Sequence, residues 1–202
     1  KEAMGIDFEQ RFVRMSYQEA MDRFGSDKPD IRFGLELVNI SDIVQNSGFK
    51  VFSDAVKKGG SVRVINAKGC GEKFSRREID SLVEFVKTYK AKGMAWITVE
   101  ENELKSAITK FMTEEEIKAI LDRVKAQPGD LICFIADKNE IVYNALGQLR
   151  LEIARRLDLL NKSEFKFLWV TQFPLLEYDE EEKRWVAKHH PFTSPMDEDI
   201  QY

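Results

Sequence analysis

The two histidines of this 202-residue chain stand side by side near its carboxyl end, in the stretch RWVAKHHPFTSP. An imidazole offers a hydrogen-bond donor and, when neutral, an acceptor, so either ring could hold a carboxylate, an ammonium or a phosphate. Adjacent side chains of an extended segment point to opposite faces, so His189 and His190 cannot clamp one metal ion as helical i, i+4 histidines do. The structural alternative is a strand end with one packed ring and one exposed ring, where Pro191 stops the ladder.

A second stretch whose side chains could take part in chemistry is RFGSDKPDIRFG, residues 23–34. A surface loop is its simplest interpretation, because serine and aspartate form turns and Pro29 keeps Lys28 extended. Asp27, Lys28 and Asp30 are the charged side chains of its centre. Ligand contact and ordering of the loop are equally open for these three residues.

Other kinds of site find little support in the sequence. Cys70 and Cys133 match no CxxC or Cys/His spacing, which favours idle thiols in a reducing cytoplasm over a metal site. The glycine-bearing stretch KKGGSVRVINAKGCG has neither GxxxxGK[ST] nor GxGxxG, and no GxSxG nucleophile motif occurs. We therefore assign no catalytic residue and no metal ligand within this chain.

Composition sets the remaining limits. The chain is 43% hydrophobic and 33% charged, which predicts a folded protein. Its net charge of -4 disfavours a protein that binds nucleic acid over its whole surface. No apolar run approaches the roughly 20 residues of a membrane span, and the first residues have no signal-peptide core. We expect a cytoplasmic protein without membrane contact, and a piece of a longer chain.

Helix-start signals recur along the sequence. A capping residue stands three positions before a glutamate at Ser16–Glu19, Ser75–Glu78, Thr113–Glu116 and Asp137–Glu140. These signals predict helices over about 17–24, 76–91, 114–126 and 139–159.

Strand-like runs alternate with these helices. The runs rich in β-branched and aromatic residues are 61–67, 94–99, 130–136, 166–179 and 184–190. The alternation between 61 and 160 predicts a compact sheet covered by helices. The last two runs, joined by the acidic turn DEEEK, predict a hairpin of an antiparallel sheet. We place boundaries near residues 45 and 163, so that 1–45 and 163–202 form one domain that 46–162 interrupts.

Two motifs in this order carry a family resemblance. YQEAMDRFGSDKPDIRFGLEL, followed after about 130 residues by FLWVTQFPLLEYDEEEKRWVAKHHPFTSPMDED, closely resembles the bacterial type of aspartyl-tRNA synthetase. The middle, with GGSVRVINAKG, FSRREIDSLVEFVKTYKAKGMAWI, GDLICFIAD and ALGQLRLEIARRLDL, resembles the family's GAD insertion domain. The resemblance covers essentially the whole chain.

The resemblance implies an α+β fold, in which the GAD domain lies between two segments of a class II antiparallel catalytic domain. It implies a homodimeric parent enzyme that activates aspartate with ATP and Mg²⁺ and transfers it to tRNA. The arginine and glycine-rich motifs that hold ATP in the family are not visible, so we expect the fragment alone to be inactive and to bind no cofactor. In the family the first histidine of HHPFT contacts aspartate, which makes His189 a substrate-binding residue and His190 its neighbour in the pocket. Gln172 and Lys188 depart from the family pattern, which commonly has aspartate and methionine there.

Two interpretations of the middle segment remain open. It could help to place the tRNA, or it could brace the catalytic domain or the dimer without touching tRNA. The basic side chains available for a phosphate-facing patch are Lys57, Lys58, Arg63, Lys68, Lys73, Arg76 and Arg77. Mixed surface charge of no specific function is the alternative. Whether the parent charges only aspartate tRNA or also asparagine tRNA stays open.

Overall fold

The structure is a computed structural model that describes residues 11–179, 181–188 and 196–200. Contacts between Cα atoms divide the chain into two compact units. The larger unit runs from Ala20 to Lys166, and the smaller unit is formed by the two ends, up to Glu19 and from Phe167. No helix of the described residues is long and apolar enough to cross a membrane.

Nine strands and six α-helices make up the described chain. The strands are β1 (Val13–Ser16), β2 (Leu37–Asn39), β3 (Ser61–Ala67), β4 (Ala95–Val99), β5 (Leu104–Lys105), β6 (Leu131–Asp137), β7 (Leu168–Thr171), β8 (Leu176–Asp179) and β9 (Arg184–Ala187). The helices are α1 (Tyr17–Phe24), α2 (Ser41–Val44), α3 (Lys50–Lys57), α4 (Arg76–Lys87), α5 (Glu114–Arg123) and α6 (Asn139–Arg156).

A five-stranded antiparallel sheet forms the centre of the larger unit, in the order β2-β3-β6-β4-β5. The central strands β3 and β6 pair over their full length, from Ser61 opposite Asp137 to Ala67 opposite Leu131. Both strands are buried almost throughout. The sequence of β6 is nearly all apolar, whereas β3 also buries the polar residues Ser61 and Arg63. The predicted helix-covered α+β sheet is confirmed.

Helices cover both faces of this sheet. On one face, α4 and α6 pack against Leu131, Cys133 and Ile135 of β6. On the other face, α2, α3 and α5 pack against Ile132 and Phe134. Successive residues of a strand point to opposite faces, so the single strand β6 contributes to two separate hydrophobic cores.

The predicted helix starts are confirmed with one exception. Ser75 and Thr113 form complete capping boxes at α4 and α5, and Ser16 Oγ accepts the Glu19 N–H at 3.0 Å. The predicted cap at Asp137 is wrong, because Asp137 is the last residue of β6 and α6 begins after Lys138 without a side-chain cap. Helices α4, α5 and α6 also end three or four residues earlier than we predicted.

The structure adds elements that the sequence analysis did not predict. The residues that precede helices α2 and α3, Ile40 and Phe49, make no side-chain cap hydrogen bond, so no capping signal marks these helices. Strand β2 pairs with β3, and the compact unit therefore begins at Ala20, well before residue 45. The division into the domains 1–45, 46–162 and 163–202 stays a prediction.

The smaller unit contains two strand pairs. The antiparallel hairpin of β8 and β9 pairs Leu176 with Ala187 and Asp179 with Arg184, as the acidic turn predicted. The predicted run 166–179 is two strands, because Gln172 takes a left-handed backbone conformation with φ of 57° and ends β7. Strand β7 pairs with β1 in parallel, which the sequence analysis did not predict.

Candidate functional site

The loop between α1 and β2 begins where two glycines meet. Gly25 has a φ of +67°, and its N–H donates to the Met21 carbonyl at 2.9 Å. A Cβ added to Gly25 would lie 2.2 Å from the Tyr143 carbonyl oxygen, and a Cβ added to Gly147 would lie 2.6 Å from the Gly25 carbonyl oxygen. Such separations are too short for any side chain, so the two glycines allow α6 and the loop to touch backbone to backbone.

Arg150 lies one turn after Gly147 in α6 and holds the loop through its backbone carbonyls. Its side chain is only 1% exposed, and its Nη2 donates to the Asp30 carbonyl at 2.9 Å and to the Gly34 carbonyl at 3.0 Å. The guanidinium also lies 4.4 Å from the centre of the Phe33 ring. Five N–H donors in a fixed fork suit a cluster of carbonyl oxygens, so Arg150 gathers the turns of the loop around one point.

The charge on Arg150 persists in spite of its burial. Removal from water lowers the pKa of Arg150 to about 10, against the opposing effect of the Asp30 and Glu36 carboxylates. The guanidinium is thus still protonated at neutral pH, and its hydrogen bonds are charge-assisted.

The Asp30 carboxylate is bound by its own neighbour. Arg32 donates from Nη2 to Asp30 Oδ2 at 2.7 Å and from Nε to Oδ1 at 3.0 Å, and the Arg32 backbone N–H also reaches Oδ1 at 3.0 Å. The hydrogen bond from Arg32 holds the pKa of Asp30 below its usual value, although burial opposes this shift. Both oxygens of Asp30 are therefore occupied within the loop.

Asp27 and Lys28 differ from Asp30 in this respect. The Lys28 backbone N–H donates to Ser26 Oγ at 3.1 Å, which is a turn of the kind that serine favours. Within the described part of the chain, neither the Asp27 carboxylate nor the Lys28 ammonium makes a hydrogen bond or an ion pair. Lys28 is exposed and Asp27 is half-buried, so these two groups of the loop are accessible to a ligand.

A partly buried network ties α1 to the sheet behind the loop. Arg63 of β3 donates to the Asp22 carbonyl at 3.1 Å and to Tyr143 Oη at 3.0 Å, and Tyr143 donates to Asp22 Oδ1 at 2.6 Å. Arg63 is 7% exposed because its position in β3 faces α6. It therefore cannot belong to the predicted phosphate-facing patch, whose other six members are exposed.

The predicted substrate-binding residues His189 and His190 lie outside the described residues. The preceding residue, Lys188, is described: its backbone N–H donates to the Leu175 carbonyl at 3.0 Å, and its ammonium donates to Glu177. Burial lowers the pKa of Lys188, but hydrogen bonds to Glu177 and Tyr17 outweigh burial and raise it overall. The lysine that departs from the family pattern thus fixes the end of the β8–β9 hairpin.

Arg150 is the site residue that the sequence analysis missed. An arginine beside the apolar stripe of α6, three residues after a mid-helix glycine, was the available signal. The described ranges contain no group of three or more His, Cys, Asp or Glu side chains that could hold a metal ion.

Comparisons with known proteins agree with the family resemblance. Residues 52–146 match the GAD domain family. Over its whole length the chain is 73% identical to an aspartate–tRNA ligase of Ruminiclostridium cellulolyticum, 57% identical to an aspartate–tRNA(Asp/Asn) ligase of Thermoanaerobacter pseudethanolicus, and 56% identical to an aspartate–tRNA ligase of Clostridium botulinum. The chain spans 34% of the length of each of these relatives.

Proposed function

We propose that this chain forms part of an aspartate–tRNA ligase. The premise is that it carries a GAD domain and matches aspartate–tRNA ligases of the bacterial type along its entire length. The parent enzyme would activate aspartate with ATP and transfer it to tRNA, in the cytoplasm and as a homodimer. The observation that carries this proposal is the 73% identity, which covers the whole chain, including both ends and the GAD domain.

The segments at the two ends would belong to the class II catalytic domain. We assign aspartate binding to His189 and a neighbouring position in the pocket to His190, from the family motif alone. The described strand β9 supports this assignment, because Lys188 and Glu177 fix the hairpin directly before the first histidine. An imidazole held at a strand end can donate a hydrogen bond to a substrate carboxylate.

We assign the loop of residues 25–36 to the predicted catalytic-domain segment of residues 1–45. Asp30 orders the loop, since Arg32 occupies its carboxylate and Arg150 binds its carbonyl. Asp27 and Lys28 are the groups that we propose for ligand contact. ATP is a substrate, and the described residues supply no cluster for Mg²⁺, so we assign no step of the reaction to that ion. The isolated chain would form no adenylate.

Kinetics of the full-length enzyme test the assignment of the histidines. Loss of one hydrogen bond to a charged ligand costs roughly 1.5 to 3 kcal/mol, so His189→Ala should lower the specificity constant for aspartate about tenfold to a hundredfold. Aspartate-dependent pyrophosphate exchange at varied aspartate and varied ATP separates the two substrates. His190→Ala should show a different balance between them. Parallel losses for both substrates in both variants would support a structural role for the rings instead.

The GAD domain would assist in placing the tRNA. Five exposed cations support this idea: Lys57, Lys58, Lys68, Lys73 and Arg77. Arg76 contributes less, because its guanidinium pairs with Asp80 and lies 4.9 Å from the centre of the Trp96 ring. The alternative is a structural brace without tRNA contact.

Salt dependence distinguishes these two roles of the GAD domain. Removal of one lysine that binds a tRNA phosphate should reduce the slope of log affinity against log salt by about 0.7 to 0.9. Fluorescence anisotropy of labelled tRNA with Lys68→Gln and Lys73→Gln should show this reduction, whereas Lys166→Gln, outside the GAD domain, should not. Absence of tRNA binding at any salt would favour the brace.

A further inference from the structure

A cavity opens in the larger unit where the central sheet is incomplete. Strand β4 pairs with β6 only from Phe134 to Leu131, although β6 continues to Asp137 along its other partner, β3. The last three residues of β6 therefore have no β4 neighbour. A cavity of about 780 Å³ lies here, between α3, α4 and the residues that lead into β4. Small-molecule sites have volumes of roughly 300 to 1,000 Å³.

The wall of this cavity is largely apolar and already packed. Phe52 meets Phe49 edge to face at 4.7 Å between ring centres and stacks on Phe134 at 5.7 Å. Met94 and Trp96 contribute from the other side of the opening. Aromatic walls that are fixed by their own contacts lose little entropy when an apolar group binds.

Asp137 lines the cavity and carries one buried polar atom without a hydrogen-bond donor. Asp137 is 8% exposed, and its Oδ1 accepts the Lys138 N–H at 2.9 Å. Its Oδ2 is buried and accepts no hydrogen bond from the described residues. The ammonium of Lys92 lies 3.6 Å away, close enough for an ion pair but beyond hydrogen-bond distance. A buried carboxylate oxygen without a donor is energetically unfavourable, so this atom retains the capacity to bind one.

The Lys92 ammonium occupies this position without being fixed there. The Lys92 side chain is 86% exposed, so a competing cation can replace it while Lys92 turns into solvent. The other cations of the wall are Lys58, Lys138 and Arg76, and all three are exposed. The Arg76 guanidinium already pairs with Asp80 and lies over the Trp96 ring. The buried end of the cavity therefore selects a donor or a cation, and the rim alone offers contacts for an anion.

We propose that this cavity is a binding site for a primary ammonium that carries an apolar or aromatic body. The ammonium binds Asp137 Oδ2 in place of Lys92, and the body packs against Phe49, Phe52 and Trp96. The proposal is independent of aspartate ligation, because it concerns a side of the GAD domain that the site described above does not use.

A pair of probes with one aromatic body and opposite charges tests the proposal. We would titrate the 202-residue chain with 2-phenylethylammonium and with 3-phenylpropionate, and follow its backbone amides and the Trp96 indole by NMR. The ammonium should give saturable shifts at residues 92–96 and 134–138. The carboxylate should bind more weakly or not at all.

Three substitutions separate the buried oxygen from the charge of the wall. Asp137→Asn should weaken ammonium binding about tenfold, as expected for loss of a hydrogen bond to a charged group. Asp54→Asn is the matched control, because Asp54 lies on the same wall but is exposed, and it should change the affinity less than about twofold. Lys92→Met removes the internal competitor and should tighten ammonium binding.

Ala55→Leu provides a test that leaves the carboxylate intact. Ala55 lines the cavity from α3, and leucine is a good helix former that would fill the space. This variant should weaken binding even if Asp137→Asn fails to fold. Equal binding by the Asp137 and Asp54 variants, weaker binding after Lys92→Met, or preference for the carboxylate probe would overturn the proposal.

Discussion

Removal of the buried guanidinium at position 150 should release the loop that it holds. Arg150→Met keeps an unbranched apolar stem at this position but deletes every donor. The carbonyls of Asp30 and Gly34 then lack the donors that now lie at 2.9 and 3.0 Å, and those of Phe33 and Leu35 lack donors that now lie at 3.4 Å.

The expected destabilisation follows from the two short bonds. A hydrogen bond to a charged group contributes roughly 1.5 to 3 kcal/mol, so the two give about 3 to 6 kcal/mol. A buried carbonyl that loses its donor costs about 1 to 3 kcal/mol, so the two carbonyls give about 2 to 6 kcal/mol. We therefore expect Arg150→Met to lower the free energy of unfolding by about 3 to 5 kcal/mol, within both ranges. Arg150→Lys should recover only part of this, since an ammonium has three donors on a shorter reach.

Urea unfolding and amide hydrogen exchange measure this effect globally and locally. Exchange should accelerate first in residues 26–36, which contain the carbonyls that Arg150 binds. Arg155→Met is a suitable control, because Arg155 lies in the same helix, is exposed, and pairs only with Glu152 among the contacts described. The control should leave both measurements nearly unchanged.

A small change would refute this account. If Arg150→Met lowered the free energy of unfolding by less than about 1 kcal/mol with unaltered exchange in residues 26–36, the carbonyls would have to be satisfied without the guanidinium. Equal effects of Arg150→Met and Arg155→Met would count against the loop-specific role as well.

Three further outcomes are expected. Gly147→Ala should destabilise the protein by about 1 to 2 kcal/mol in urea unfolding, because the new Cβ would lie 2.6 Å from the Gly25 carbonyl oxygen. This crowding outweighs the roughly 1 kcal/mol gain in helix propensity, and a stabilised variant would contradict the close approach. The pKa of Asp30 is lowered in the folded state, so the contribution of its carboxylate to stability is complete above the unfolded pKa of about 3.9 and is lost as the pH falls below it. As the pH is lowered from about 6 to 2, the urea midpoint of Asp30→Asn should fall less steeply than that of the unchanged chain. Identical slopes would argue against the Arg32 contact. Burial raises the pKa of Cys133 to about 12, so a thiol reagent at neutral pH should label Cys133 only as fast as the protein unfolds. Rapid labelling of Cys133, located by mass spectrometry, would show instead that the sheet opens locally.

The parts of the fold that could be predicted are those with local signals. Ser75 and Thr113 each stand three residues before the glutamate that completes the capping box, so the whole capping box lies within one helical turn. The runs of β3 and β6 are seven residues long, rich in β-branched and other apolar residues, and bounded by turn residues. These patterns required no knowledge of distant contacts.

The unpredicted parts depend on contacts between distant residues. Phe49 and Ile40 precede helices without a capping side chain, so packing on the sheet stabilises those helices. Val13 pairs with Leu168 across more than one hundred and fifty residues, and no local pattern reveals a parallel pair. The stretch of residues 23–34 was predicted from its composition to be a loop for ligand contact or for its own ordering, and the ligand contact stays a prediction. Arg150, which binds the carbonyls of this loop, was not recognised, because a sequence does not show which backbone carbonyls lie close together in the fold.

The contact between α6 and the loop has a consequence for anyone who wishes to remove or transplant the inserted domain. The family match ends at residue 146, one residue before the glycine that meets Gly25 and four before Arg150. Excision at that boundary would take away the first half of α6 and leave the guanidinium on a helix without its start. The loop near the amino end would then lose an anchor supplied from more than a hundred residues downstream. A portable version of the domain should therefore begin near Ala20 and end near Lys166, and deletion of residues 52–146 from this chain should disorder the loop of residues 25–36.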